Sequence, residues 1–234
     1  MIPLSRRSFI SGAAALGVAA GTGSTAEGQL VWKTADWKIA DFQTLVHHPA
    51  RMKQVFDVVQ INEGRFLNNV KNSLNGLEFG FSVPREQIKI AVAMHGPANM
   101  LNYDDFIWQK YQIGEWLKVM DPETGKPAVR NIFAKSTKAA GKDFHASDPS
   151  VEGSLYQDNS MQTLRERGVQ FLSCHTAMEE QARALIHLRG LSQSPEEITR
   201  EMLAHAIEGT LVVAAMVAAI ALLQTDGHYT YITV

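Results

Sequence analysis

The residues best suited to chemistry gather at Ser173-Cys174-His175-Thr176, and Cys174 is the only cysteine in the chain. Residues 168–174 form an apolar run that reads as a buried strand, and a helical pattern begins directly after Cys174. In a parallel α/β sheet, ligands and reacting groups collect at the carboxyl ends of strands. A thiol there faces the amino end of the next helix, whose free N–H groups and dipole favour a thiolate. Such a sulfur attacks electrophiles or carries a second sulfur atom. The plainer alternative is a small buried hydrophobe, which free cysteines often are. His175 stands beside the sulfur as a proton partner. Neighbours on a strand point to opposite faces, so adjacency in sequence alone does not join the two.

His95 is the second candidate. It ends the apolar run Ile88–Met94 and precedes Gly96-Pro97-Ala98-Asn99, a tight turn into a helix. Gly96 allows close approach of a ligand to the backbone, and Asn99 supplies a polar contact for a substrate. If the two strands neighbour one another, His95 and Cys174 open on one crevice; otherwise His95 fixes its turn. Cys174, His175 and Met178 offer soft ligands at short spacing, which would suit copper. Yet His47 and His48 are adjacent and point apart, and no Cys-x-x-Cys or His-x-x-x-His pair exists. No metal is therefore expected. A phosphate-binding glycine fingerprint is also missing, since Gly12, Gly17, Gly21 and Gly23 precede the domain and Gly76 and Gly80 fall in a helical pattern. No nucleotide or other cofactor is expected.

The amino terminus carries Ser5-Arg6-Arg7-Ser8-Phe9-Ile10, a twin-arginine export motif, before an apolar run over 10–20. That run is too short to span a bilayer. Ser24 and Ala26 suit signal-peptidase cleavage after Ala26, with Ala20 as a second candidate. The reading is therefore a periplasmic protein exported by the twin-arginine route, with residues 27–234 as one α/β domain. Removing residues 1–26 takes the formal net charge from −2 to −4. Without a basic run or a polybasic patch, neither nucleic acid nor a membrane surface is expected as a partner. A single cysteine in an exported chain forms no internal disulfide.

The elements that must position these residues follow from periodicity. Strands are predicted over 54–61, Ile88–Met94, 169–174, Leu211–Val213 and 229–234. Helices are predicted over about 66–79, 98–117, 158–167, 177–188 and 195–207, and after 213. The helix at 195–207 has a clear start, with Ser194 as cap, Pro195 at its first position and two acids in the first turn. The uncharged stretch 211–223 is 13 residues long, short of the roughly 20 a membrane helix needs. Residues 119–154, punctuated by proline and glycine, read as one long irregular excursion. Strands alternating with helices predict a three-layer αβα sandwich around a mostly parallel five-stranded sheet.

Three segments together carry a family likeness: Ile88–Met94 running into His95-Gly96-Pro97-Ala98, the strand-cysteine-helix unit at 168–184, and the ending with Gln224, Gly227-His228-Tyr229 and Tyr231-Ile232. In these the chain resembles the DsrE/DsrF-like family over about 50–234, and more closely its exported members. The resemblance implies a flavodoxin-like layered fold that assembles into homo-oligomers. It also implies persulfide sulfur held at Cys174, passed between this chain and a sulfur donor or acceptor protein or a small sulfur compound. The excursion at 119–154 and the helix at 195–207 exceed the compact family core. The residue reading itself leaves two functions open: a sulfur carrier or sulfurtransferase acting through Cys174 with His95 or His175, or a periplasmic binding or assembly protein with a structural Cys174.

Overall fold

A computed structural model describes residues 31–136 and 148–234. The export motif, its cleavage sites and the middle of the 119–154 excursion lie outside the described residues. Five strands form the sheet: β1 (Met52–Val58), β2 (Ile88–Met94), β3 (Gln170–Cys174), β4 (Leu211–Val213) and β5 (Thr230–Thr233). They lie in the order β4-β3-β2-β1-β5 and every pairing is parallel. Parallel pairing requires a crossover between strands, and eight α-helices among the described residues lie between or beside them. These are α1 (Ile39–Val46), α2 (Arg65–Asn75), α3 (Asp105–Lys110), α4 (Ile113–Leu117), α5 (Met161–Glu166), α6 (His175–Arg189), α7 (Pro195–Ala204) and α8 (Met216–Thr225).

Alternation along each strand divides the apolar side chains between two cores. Phe56, Val58, Ile90, Val92, Met94 and Phe171 face one layer, which includes α2, α6 and α7. Val55, Ala91, Ala93, Leu172, Cys174 and Val213 face the other, covered by α1 and α8. The alanines of β2 leave room for α8, which lies across β1, β2 and β3. The result is a three-layer α/β sandwich. Its strand order differs from the 2-1-3-4-5 of flavodoxin, so the likeness to that fold ends at the layers.

The direction of travel matters for the site. From β1 to β4 the chain steps steadily toward one edge, and α8 then carries it back over the sheet to β5 beyond β1. Right-handed crossovers taken in opposite directions place their helices on opposite faces. Accordingly α6 and α8, which leave the adjacent strands β3 and β4, diverge to different layers.

Residues 98–117 do not form one helix. A 3-10 stretch Gly96–Asn102 comes first, then Asp104 accepts from the N–H of Phe106 at 3.0 Å and starts α3. Gln112, with φ of 51°, separates α3 from α4, and Lys118, with φ of 56°, ends it. Gly114 in α4 lies against the backbone of Ala128: a Cβ there would sit 2.2 Å from the Ala128 carbonyl oxygen. Apart from one isolated bridge between Met120 and Pro127, the described part of 119–154 has no strand or helix before residue 155.

Candidate functional site

Strand ends β3 and β4 are paired with Cys174 opposite Val213. Because their helices diverge, the site lies at a reversal of the connections, where α/β sheets open a crevice beyond the carboxyl edge. Cys174 occupies that fork. Its Sγ accepts the N–H of Ala177 in the first turn of α6 at 3.4 Å and that of Met216, the first residue of α8, at 3.3 Å. Two helices thus aim main-chain donors at one sulfur, in a residue that is 5% exposed.

Register places His95 beside it. Met94 pairs with Ser173, so His95 and Cys174 stand one step beyond on the same face of adjacent strands. The His95 N–H donates to Val58 O at 3.1 Å, which ties the residue to β1. On that strand Asp57 pairs with Ala93 and shares the face of Cys174. His95 Nε2 lies 2.8 Å from Asp57 Oδ1, and the Tyr231 hydroxyl of β5 donates to Asp57 Oδ2 at 2.5 Å. The hydroxyl's bond to the carboxylate raises Tyr231 above the ordinary phenol range. The array Tyr231–Asp57–His95 therefore crosses β5, β1 and β2 toward Cys174 on β3. In the tautomer whose Nε2–H donates to Asp57, Nδ1 is the acceptor nitrogen of His95.

The other predicted residues are placed differently. His175 is the first residue of α6 and is buried beneath Trp32, whose ring stacks on it with centroids 3.8 Å apart. Burial lowers His175 below the usual imidazole range, partly opposed by Glu179 and Asp36. Its Nδ1 is buried without a partner, and no hydrogen bond joins it to Cys174 among the described residues. Asn99 is fully buried and is a structural brace on the opposite face of the sheet. Its Oδ1 accepts from Ser173 Oγ and the Cys174 N–H, both at 2.9 Å, while Nδ2 donates to Tyr103 and Gln181. Gly96 has φ of 52°, but Val59 fills the space beside it, 3.1 Å from an added Cβ. Its carbonyl accepts from Gln181 Nε2 at 2.6 Å. The Asn99 side chain therefore has its polar atoms engaged, and so does the Gly96 carbonyl.

Met178 is buried in the core on the other side of the sheet from Cys174, so the soft ligand set is not assembled. Among the described residues no three His, Cys, Asp or Glu side chains gather in a group that would hold a metal. No helix among them is long and apolar enough to cross a membrane. A cavity of about 630 Å³ lies between Ile61, Lys118, Phe133 and Ser160, and another of about 990 Å³ lies between Asp104, Phe106, Arg165 and Glu208. Neither includes Cys174, His95 or Asp57.

Asp57 and Tyr231 are the residues that pattern reading passes over. The signal for Asp57 was present: it is the one charged residue within the apolar run 54–61. A charge in a strand covered on both faces requires a partner.

No protein-family model matches this chain, and no curated protein matches it. Among solved structures, a protein of unknown function from Methanobacterium thermoautotrophicum aligns with 78% of this chain and 99% of its own, at 15% identity and a TM-score of 0.39.

Proposed function

We propose that this chain is an exported sulfur carrier or sulfurtransferase that holds persulfide sulfur on Cys174. The observation that carries the reading is the sulfur at the fork of α6 and α8, level with a histidine oriented by Asp57. Two main-chain amides fix the position of the sulfur, and a carboxylate-held histidine moves the proton. In the transfer, Cys174 Sγ attacks the outer sulfur of a donor persulfide, R–S–SH. A new S–S bond forms on Cys174 while the donor's S–S bond breaks, and its electron pair leaves on R–S⁻. His95 Nδ1 takes the thiol proton and returns it to the leaving sulfur, so no external oxidant or reductant enters. The resemblance to DsrE/DsrF-like proteins supports sulfur as cargo and a homo-oligomeric assembly, which the molar mass in light scattering tests.

Incubation with a sulfane-sulfur donor is expected to add about 32 mass units, one sulfur atom, to the intact chain. Cys174→Ser is expected to add none while remaining folded. A wild-type chain that never gains this mass defeats the reading. A second reading has its own observation: Cys174 Sγ caps α6 through the Ala177 N–H. If that is its whole role, the protein is a non-catalytic binding or assembly protein, and Cys174→Ser keeps both stability and ligand.

The Arg6-Arg7 pair supports export. Arg6→Lys combined with Arg7→Lys is expected to leave the precursor in the cytoplasm, as fractionation and immunoblotting would show. Normal periplasmic accumulation of that variant would sink this part of the proposal.

A further inference from the structure

Cys174 lies at a crevice position yet is buried, and one short segment packs beside it through its rings. Trp32 is half-buried and stacks on His175 at the first turn of α6, with 24° between the ring planes. Trp37 packs against the apolar cluster that contains Cys174, and its ring lies 5.8 Å from that of Phe42. Between these two anchors, residues 33–36 are exposed. The backbone hydrogen bonds of the segment are local: Asp36 N–H to Lys33 O, Ile39 N–H to Trp37 O, and Asp41 N–H to Lys38 O. The Asp36 side chain accepts from the Lys33 N–H at 2.6 Å. Among the described residues, no backbone bond ties 32–37 to the sheet or to α6. Ring contacts, with the Asp36 charge near His175, hold this segment down, and its backbone hydrogen bonds are internal to it.

We propose that residues 32–37 form a removable strap over the mouth of the β3–β4 crevice, latched by the Trp32 ring on His175. Lifting the strap breaks a ring stack and exposes His175, which has no hydrogen bond at Nδ1 to lose. It also opens the approach to Cys174 without disturbing either amide that holds the sulfur. The strap regulates the same site and rests on Cys174 being the reacting group, but it needs no particular cargo.

Because Cys174 is the only cysteine, alkylation of the full chain by iodoacetamide reports its accessibility directly. Trp32→Ala is expected to accelerate alkylation roughly three- to tenfold, the equilibrium weight of one aromatic contact. Trp32→Phe keeps a ring on His175 and is expected to stay near the wild-type rate. An unchanged rate in Trp32→Ala, or equal acceleration in both variants, overturns the strap. Hydrogen exchange of the wild-type chain gives a second reading that needs no variant. The amides of 33–37 are expected to exchange together and well before those of β3; protection equal to that of β3 overturns the proposal. Accelerated alkylation without any sulfur loading keeps the strap and rejects the sulfur carrier, while loading with no Trp32 effect does the reverse.

Discussion

At Asp57 two hydrogen bonds arrive from different strands, one with the His95 ring and one from the Tyr231 hydroxyl. A carboxylate serves both because each oxygen accepts. Asp57→Asn keeps the shape but replaces one accepting oxygen with a donating NH2, so His95 must accept at Nε2 and carry its proton on Nδ1 to keep the bond. Two consequences are expected. Sulfur loading falls about a hundredfold or more, the low end of what an acid–base group contributes. The Tyr231 phenol, freed from the carboxylate, titrates closer to the ordinary value of about 10. Ultraviolet titration against a Tyr231→Phe reference measures the shift, and an unmoved midpoint would remove Asp57 from the array. The charge of Asp57 in an apolar run was legible, but its partners were not, because they depend on which strands pair. That pairing is non-local, whereas Cys174 announced itself through its own neighbours in sequence. Asn99 fails for the same reason in reverse. Its turn reads as a route to a ligand, but a 3-10 stretch rotates it into the core behind Cys174.

At the scale of elements, apolar runs bounded by glycine, proline or polar residues give strand limits directly. Ile88–Met94 and Leu211–Val213 match their expected bounds. The stretch 98–117 does not, because its aromatic periodicity persists through two local interruptions that carry little signal. One is the Asp104 cap, which any chain position with an acid imitates; the other is Gln112, a non-glycine residue in the left-handed region. The irregular chain after α4 depends on a contact of the same local kind, where Gly114 meets Ala128 backbone to backbone. Gly114→Ala is expected to destabilise the fold by at least about 2 kcal/mol, because neither backbone can yield as a side-chain tip would. Urea unfolding measures this, and a change below about 0.5 kcal/mol would show that the approach is looser.

For the whole molecule, the balance of protons between folded and unfolded chains sets an acid limit. Burial lowers His175 in the folded state, and burial together with Lys89 and Lys53 lowers His48. In both cases the unfolded chain binds its proton first as the solution is acidified. Stability is therefore full above the unfolded imidazole value of about 6.5 and declines as pH falls below it. A second decline belongs to Asp121, held below the carboxylate range by the Glu123 N–H and by Arg130, and it begins only near or below about pH 4. Urea midpoints are expected to drop between pH 7.5 and 5.5 in the wild-type chain, with a smaller drop in His175→Gln. Equal slopes would mean that His175 takes up its proton without opening the structure.

The stack of Trp32 on His175 has one more consequence, which follows from thermodynamic reciprocity. If a lifted segment favours reaction at the sulfur, a product too bulky to lie beneath the ring favours the lifted segment by the same factor. Loading would then be reported outside the core, as faster cutting of the 31–38 peptide by a protease. A partner protein would need only to recognise an indole that has left its seat to tell a charged carrier from an empty one.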